Sequence, residues 1–83
     1  MNADAIREFA RRKYVDPARE VGTERVIIRA GDVHKDMHLV HAMPAVCGAI
    51  GTQKFQKESR VKLVNRDGPT NGANVHFTFE ILP

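Results

Sequence analysis

The sequence predicts an α+β fold: three main helices with a small antiparallel β-sheet and a C-terminal hairpin. Three observations carry this expectation. In VHFTFEIL (residues 75–82), Val75, Phe77, Phe79 and Ile81 alternate with His76, Thr78, Glu80 and Leu82, the period of a strand with one buried face. Met43, Val46, Cys47 and Ile50 recur at i, i+3, i+4 and i+7, which places them on one face of a helix. The segment RVIIR (25–29) is short and β-branched and lies between two helical stretches.

The elements follow in order. Asp4 is placed to cap the first helix, and Ile6, Phe9, Ala10 and Tyr14 are spaced for one buried face. Arg7, Arg11 and Arg12 fall elsewhere on the wheel, with Lys13 at its margin. ARRK therefore reads as a solvated face, or as a flank that touches phosphates. Asp16-Pro17 disfavours helical geometry at Asp16, so the helix is expected to break or bend there. Pro17 then opens a further turn, with Ala18 and Val21 facing inward and Gly22 ending it. In the strand at 25–29, Val26 and Ile28 point one way and Ile27 the other.

Residues 29–51, RAGDVHKDMHLVHAMPAVCGAIG, read as two short helices around a tight turn. The first runs from about Ala30 to Met37, with Val33 and Met37 inward. The second runs from about Ala42 to Ile50, with Pro44 in its first turn and Gly51 as its stop. Leu39 and Val40 are the expected apolar plug between them. Thr52 can cap another turn reaching Glu58, which Phe55 anchors to the core. RVKLVNR (60–66) is a strand with Val61 and Leu63 opposite Arg60, Lys62 and Val64. The loop DGPTNGAN joins it to the last strand and holds two turn dipeptides, Asp67-Gly68 and Asn71-Gly72.

Helix, strand, helix, helix, strand, loop, strand over nearly the whole chain resembles the winged helix-turn-helix superfamily. The resemblance implies a single domain (1–83) that binds double-stranded DNA without catalysis, as a transcription regulator or DNA-targeting module. It puts the helix from Ala42 in the major groove and the loop, as the wing, on the flanking backbone. The groove face of that helix then carries His41, Ala42, Ala45, Gly48, Ala49 and Thr52, and base reading falls to His41, Thr52, Gln53 and Lys54, helped by Arg66, Asn71 and Asn74 of the wing. Lys54, Lys57, Arg60 and Arg66 hold phosphates; Arg11, Arg12 and Arg29 are further candidates, although Arg29 can equally pair with Asp32.

Composition narrows the classes. An 83-residue chain supports one small core, for which dimerisation is a reasonable supplement. No apolar run approaches the roughly 20 residues of a membrane span, and MNADAIREF is not a signal peptide, so a cytoplasmic location is expected. The net charge of +3 leans toward polyanions. Its distribution says more: residues 52–66 carry Lys54, Lys57, Arg60, Lys62 and Arg66 against Glu58 alone.

Cys47 is the one cysteine, which excludes a disulfide framework and a Cys-based zinc site. His34, His38 and His41 read as pH-dependent positive charge more readily than as metal ligands, so no metal or other cofactor is expected. The chain has no phosphate-binding glycine loop, paired carboxylates or nucleophile elbow, so no enzyme is expected. Expected partners are duplex DNA, with a second copy of the chain or a larger DNA-processing protein. The competing reading is a protein–protein module of the same fold, presenting an apolar patch at Ala45, Ala49 and Leu82. Single-stranded nucleic acid fits less well, because the aromatic residues belong to the core.

Overall fold

The computed structural model describes residues 2–83. Its first element is more continuous than expected. Helix α1 (Ala3–Ala10) passes into a π-helical turn (Arg11–Val15) and then into α2 (Asp16–Glu20). Asn2, not Asp4, is the cap: its side-chain carbonyl accepts from the Ala5 N–H at 2.8 Å. The expected break at Asp16 does not occur, and its backbone stays helical at φ −61°, ψ −45°. The π turn accounts for this. The Asp16 N–H donates to the carbonyl of Arg11, five residues back, so the ladder widens just before Pro17, whose ring collides with a carbonyl in an ordinary turn. Val21 was expected inward but is 79% exposed, because α2 has already ended and Gly22 turns the chain at φ +78°.

Strands β1 (Arg25–Arg29), β2 (Val61–Asp67) and β3 (His76–Ile81) form an antiparallel sheet in the order β1-β3-β2. Val26 and Leu63 flank Phe79, and Ile28 faces Phe77, so these side chains share the inner face. A register shift between Leu63 and Asn65 interrupts β2. Simple alternation puts Arg66 on the outer face with Lys62; the irregularity instead sets it opposite Phe77.

Between β1 and β2 run α3 (Ala30–Asp36), α4 (Met43–Ile50) and α5 (Gln53–Ser59). The turn from α3 to α4 places two histidines, His38 (φ 57°) and His41 (φ 51°), in the left-handed region. Only half of the expected plug is apolar contact: Leu39 packs on the core, while Val40 is 75% exposed. Ile6, Ile28, Val33, Val46, Ile50, Phe55, Phe77 and Phe79 are fully buried. Ala10, Val15, Ala30, Cys47 and Ala49 join them.

Polar contacts join the layers. The first free N–H groups of α3, from Ala30 and Gly31, donate to the carbonyls of Val75 and Ala73 at 2.9 Å each. The Arg19 guanidinium donates to the carbonyls of Ser59 (2.8 Å) and Arg60 (2.9 Å), closing the C-terminal end of α5. Arg7 is buried, against expectation, because its guanidinium lies between Asp4 and Glu58. Asp36, in the last turn of α3, is met by Lys13 Nζ at 3.2 Å and by the Tyr14 hydroxyl at 3.1 Å.

Phe55→Ala should lower unfolding free energy by about 3–5 kcal/mol, read from urea denaturation, because the ring is wholly enclosed. The Tyr14–Asp36 contact predicts loss of stability at both pH extremes. The hydrogen bonds from Lys13 and then Tyr14 hold the Asp36 carboxyl below its usual range. Its contribution is complete above the unfolded pKa and is lost as pH falls through the folded value. Burial, then the bond to Asp36, pushes Tyr14 from 10.0 up to about 12. Its contribution is complete below pH 10 and is lost on the way to about 12. Tyr14→Phe should therefore flatten the urea midpoint over that alkaline interval; an unchanged slope contradicts the assignment.

Candidate functional site

The surface formed by the α3–α4 turn, α4, α5 and the 68–75 loop contains the residues that the sequence singled out. The structure divides them into side chains that are engaged inside the protein and side chains that are free. Arg29 belongs to the first group. Its guanidinium donates to Asp32 Oδ1 and Asn74 Oδ1, both at 2.9 Å, which ties the β1–α3 junction to the loop. Of its two expected roles, the structure takes the Asp32 pair. Asn74 is thereby engaged as well, and its carbonyl accepts from His76 Nδ1 at 2.9 Å.

Arg66 is engaged in a different way. Its guanidinium carbon lies 5.0 Å from the Phe77 ring centroid, a cation–π contact, and an N–H donates to the Thr70 carbonyl. Phe77 also limits Gly51: a Cβ there would meet the Cys47 carbonyl at 3.1 Å and Phe77 Cε1 at 3.3 Å. The end of α4, β3 and the loop thus meet around one ring. Thr52 caps α5, accepting from the Phe55 N–H at 3.1 Å and donating to the Ala49 carbonyl at 2.9 Å. Its hydroxyl proton and one of its two acceptor sites are thereby used inside the protein.

Helix α4 turns a bare face outward. Pro44, Ala45 and Gly48 are exposed. Ala49 is only 1% exposed, which removes it from both the groove face and the apolar patch expected from the sequence. Buried against the core with Val46, Cys47 and Ile50, it widens the inward stripe. A Cβ at Gly48 would meet nothing within 4 Å, and its φ lies outside the left-handed region. Ala42 caps the helix start, and its N–H donates to His34 Nε2 at 3.2 Å. His38, His41 and Asn71 are exposed. Among the described residues, no three His, Cys, Asp or Glu side chains gather as a metal site. The Cys47 thiol is pushed upward by burial, against an opposing influence of Arg66.

The basic residues separate sharply. Arg7, Arg11, Arg12, Lys13, Arg19, Arg29 and Lys54 are ion-paired. Lys54 in particular, expected on phosphate, lies 3.1 Å from Asp4. That contact, after the bond from Arg7, holds the Asp4 carboxyl below its usual range. The ARRK flank is likewise tied to Asp16, Glu8 and Asp36. Among the described residues, Arg25, Lys35, Lys57, Arg60, Lys62 and Arg66 make no ion pair, and of these Lys57, Arg60 and Lys62 follow one another along the end of α5 and the start of β2. Gln53 is exposed on the same helix. Arg60 is held at φ 53° by the turn into β2. The sequence assigns Lys57 and Arg60 to phosphates, whereas it marks Lys62 only as part of the basic stretch at 52–66 and as an outward strand residue.

The fold and this surface define a small α+β domain with a bare face on α4 and a cationic C-terminal end on α5. Comparison with protein-family models, curated proteins and solved structures yields no match. Among the described residues, no helix is long and apolar enough to cross a membrane.

Gly48→Ala should raise unfolding free energy by about 0.5–1 kcal/mol, because the added methyl enters open space and restrains the unfolded chain. A loss of stability in thermal denaturation contradicts this reading of the α4 face.

Proposed function

We propose that the chain is a winged helix-turn-helix domain that binds double-stranded DNA without catalysing a reaction on it. In this reading it acts as a transcription regulator or as the targeting module of a larger assembly. One observation carries the proposal: Lys57, Arg60 and Lys62 stand unpaired on one stretch of a surface whose other basic side chains are mostly matched to acids. An unpaired cation keeps its full attraction for a polyanion, whereas a paired one must first release its carboxylate. The element order and the β1-β3-β2 sheet support the fold assignment. The 68–75 loop, projecting between β2 and β3, takes the part of the wing.

Helix α4 is the groove-facing element. Ala45 and Gly48 place no long side chain between its backbone and a duplex, and glycine is the residue that permits such an approach. The same bareness limits base reading, since this face offers no arginine, asparagine or glutamine for a bidentate contact. Gln53 and His41 at its margins and Asn71 on the wing are the available readers. Arg29 and Arg66 shape the wing from inside, and Lys54 reaches a phosphate only by leaving Asp4.

The test is fluorescence anisotropy with a labelled random duplex at several salt concentrations. Wild type should bind with an affinity that falls steeply with salt. Lys57→Gln/Arg60→Gln should reduce the slope of log K against log salt by about 0.9 per lost phosphate contact. Gly48→Glu, which fits the free protein, should abolish binding while the protein stays folded by circular dichroism. Absence of binding by folded wild type at low salt overturns the reading.

A further inference from the structure

The unpaired cations Lys57, Arg60 and Lys62 lie together on the surface. They line a groove of about 500 Å³ between α5 and the segment at Leu82-Pro83. Lys57, Arg60 and Lys62 form its charged wall, Leu82 and Pro83 supply aliphatic surface, and no acidic residue lines it. Leu82 is 37% exposed, one of few large apolar side chains left open. We propose that this groove docks an acidic peptide segment of a partner protein that carries an aliphatic anchor residue. The inference goes beyond DNA binding and stands on its own ligand.

Charge complementarity selects the occupant. Three cations that make no ion pair, in a groove lined by no acid, call for anionic groups, and the aliphatic surface beside them calls for an apolar one. A phosphodiester backbone satisfies the first demand and leaves Leu82 in water. A peptide bearing Asp or Glu around a Leu satisfies both. The groove is also held in shape before anything binds. Arg19 fixes the carbonyls of Ser59 and Arg60, and the Leu82 N–H donates to the Arg60 carbonyl at 3.0 Å. Gln56 Oε1 accepts from the Leu63 N–H at 3.0 Å. That bond occupies a strand-edge donor, so recognition rests on side chains and not on strand addition. Such preorganisation limits the ordering cost of binding. Lys57 and Arg60 belong to the phosphate-binding set as well, so the peptide and a duplex compete.

The test uses the 83-residue chain and two fluorescein-labelled octapeptides of equal charge, Asp-Glu-Asp-Leu-Leu-Asp-Glu-Asp and the same peptide with Ser for both Leu. The Leu peptide should bind at least about fivefold tighter than the Ser peptide, with amide shifts in the NMR spectrum centred on residues 57–62 and 82. Leu82→Ser should erase the difference between the peptides and leave duplex affinity unchanged. Lys62→Ala should weaken both peptides. Equal binding of the two peptides overturns the proposal, as do shifts centred elsewhere. Duplex binding without peptide binding assigns the cations to nucleic acid alone and overturns it too. Loss of duplex binding with retained peptide binding removes the DNA reading and leaves this one intact.

Discussion

The contact between Phe55 and the β3 phenylalanines is the constraint on which the rest of the molecule depends. The Phe55 and Phe79 rings meet edge to face with centroids 5.2 Å apart, and Phe77 lies beside Phe79 at 6.3 Å. This geometry suits the ring quadrupoles and adds to the apolar area that the rings bury. It pins α5, a helix of only two turns, onto the middle strand of the sheet. A helix so short has little stability of its own. The Thr52 cap starts α5, Arg19 closes its end, and Phe55 fixes its face. Phe77 then links this core to the surface, with Arg66 over its ring and Gly51 close to its edge.

Electrostatics are arranged around that frame in two ways. Charges between elements are matched: Arg7 between Asp4 and Glu58, Lys13 and Tyr14 on Asp36, Arg29 between Asp32 and Asn74. The partly buried pairs orient α1, α3, α5 and the loop more than they stabilise the fold, since exposed pairs contribute little. At the end of α5 the matching stops. Lys57, Arg60 and Lys62 make no ion pair, although Glu80 of β3 stands opposite Lys62 across the sheet. This local excess of positive charge, beside aliphatic surface, is the feature most available to an external partner.

Gly48 shows a second kind of availability. Helix interiors disfavour glycine, and here neither backbone geometry nor packing requires it. Its neighbours on the outer face, Pro44 and Ala45, are also small. An approaching surface therefore meets backbone, while the inner face of the same helix is closed by Val46, Cys47, Ala49 and Ile50. A long side chain at Gly48 changes what can reach α4 without disturbing what lies beneath it.

Local periodicity was enough to place every strand to within a residue, the helices after β1, the Thr52 cap and the large apolar side chains of the core. These follow from side-chain spacing and from short-range cap and turn chemistry, which need no knowledge of distant neighbours. Tertiary structure decided the rest. It carried the first helix through Asp16-Pro17 on a π turn, and the β2 irregularity placed Arg66 on the Phe77 side. It buried Ala49, exposed Val40, and turned Arg29, Arg66 and Lys54 to partners inside the protein. It also assembled the groove from residues 57–62 and 82–83, which are distant in sequence. Charge is written in the sequence residue by residue. Whether a charge is matched depends on which element packs beside it, and that is settled only when the chain has folded.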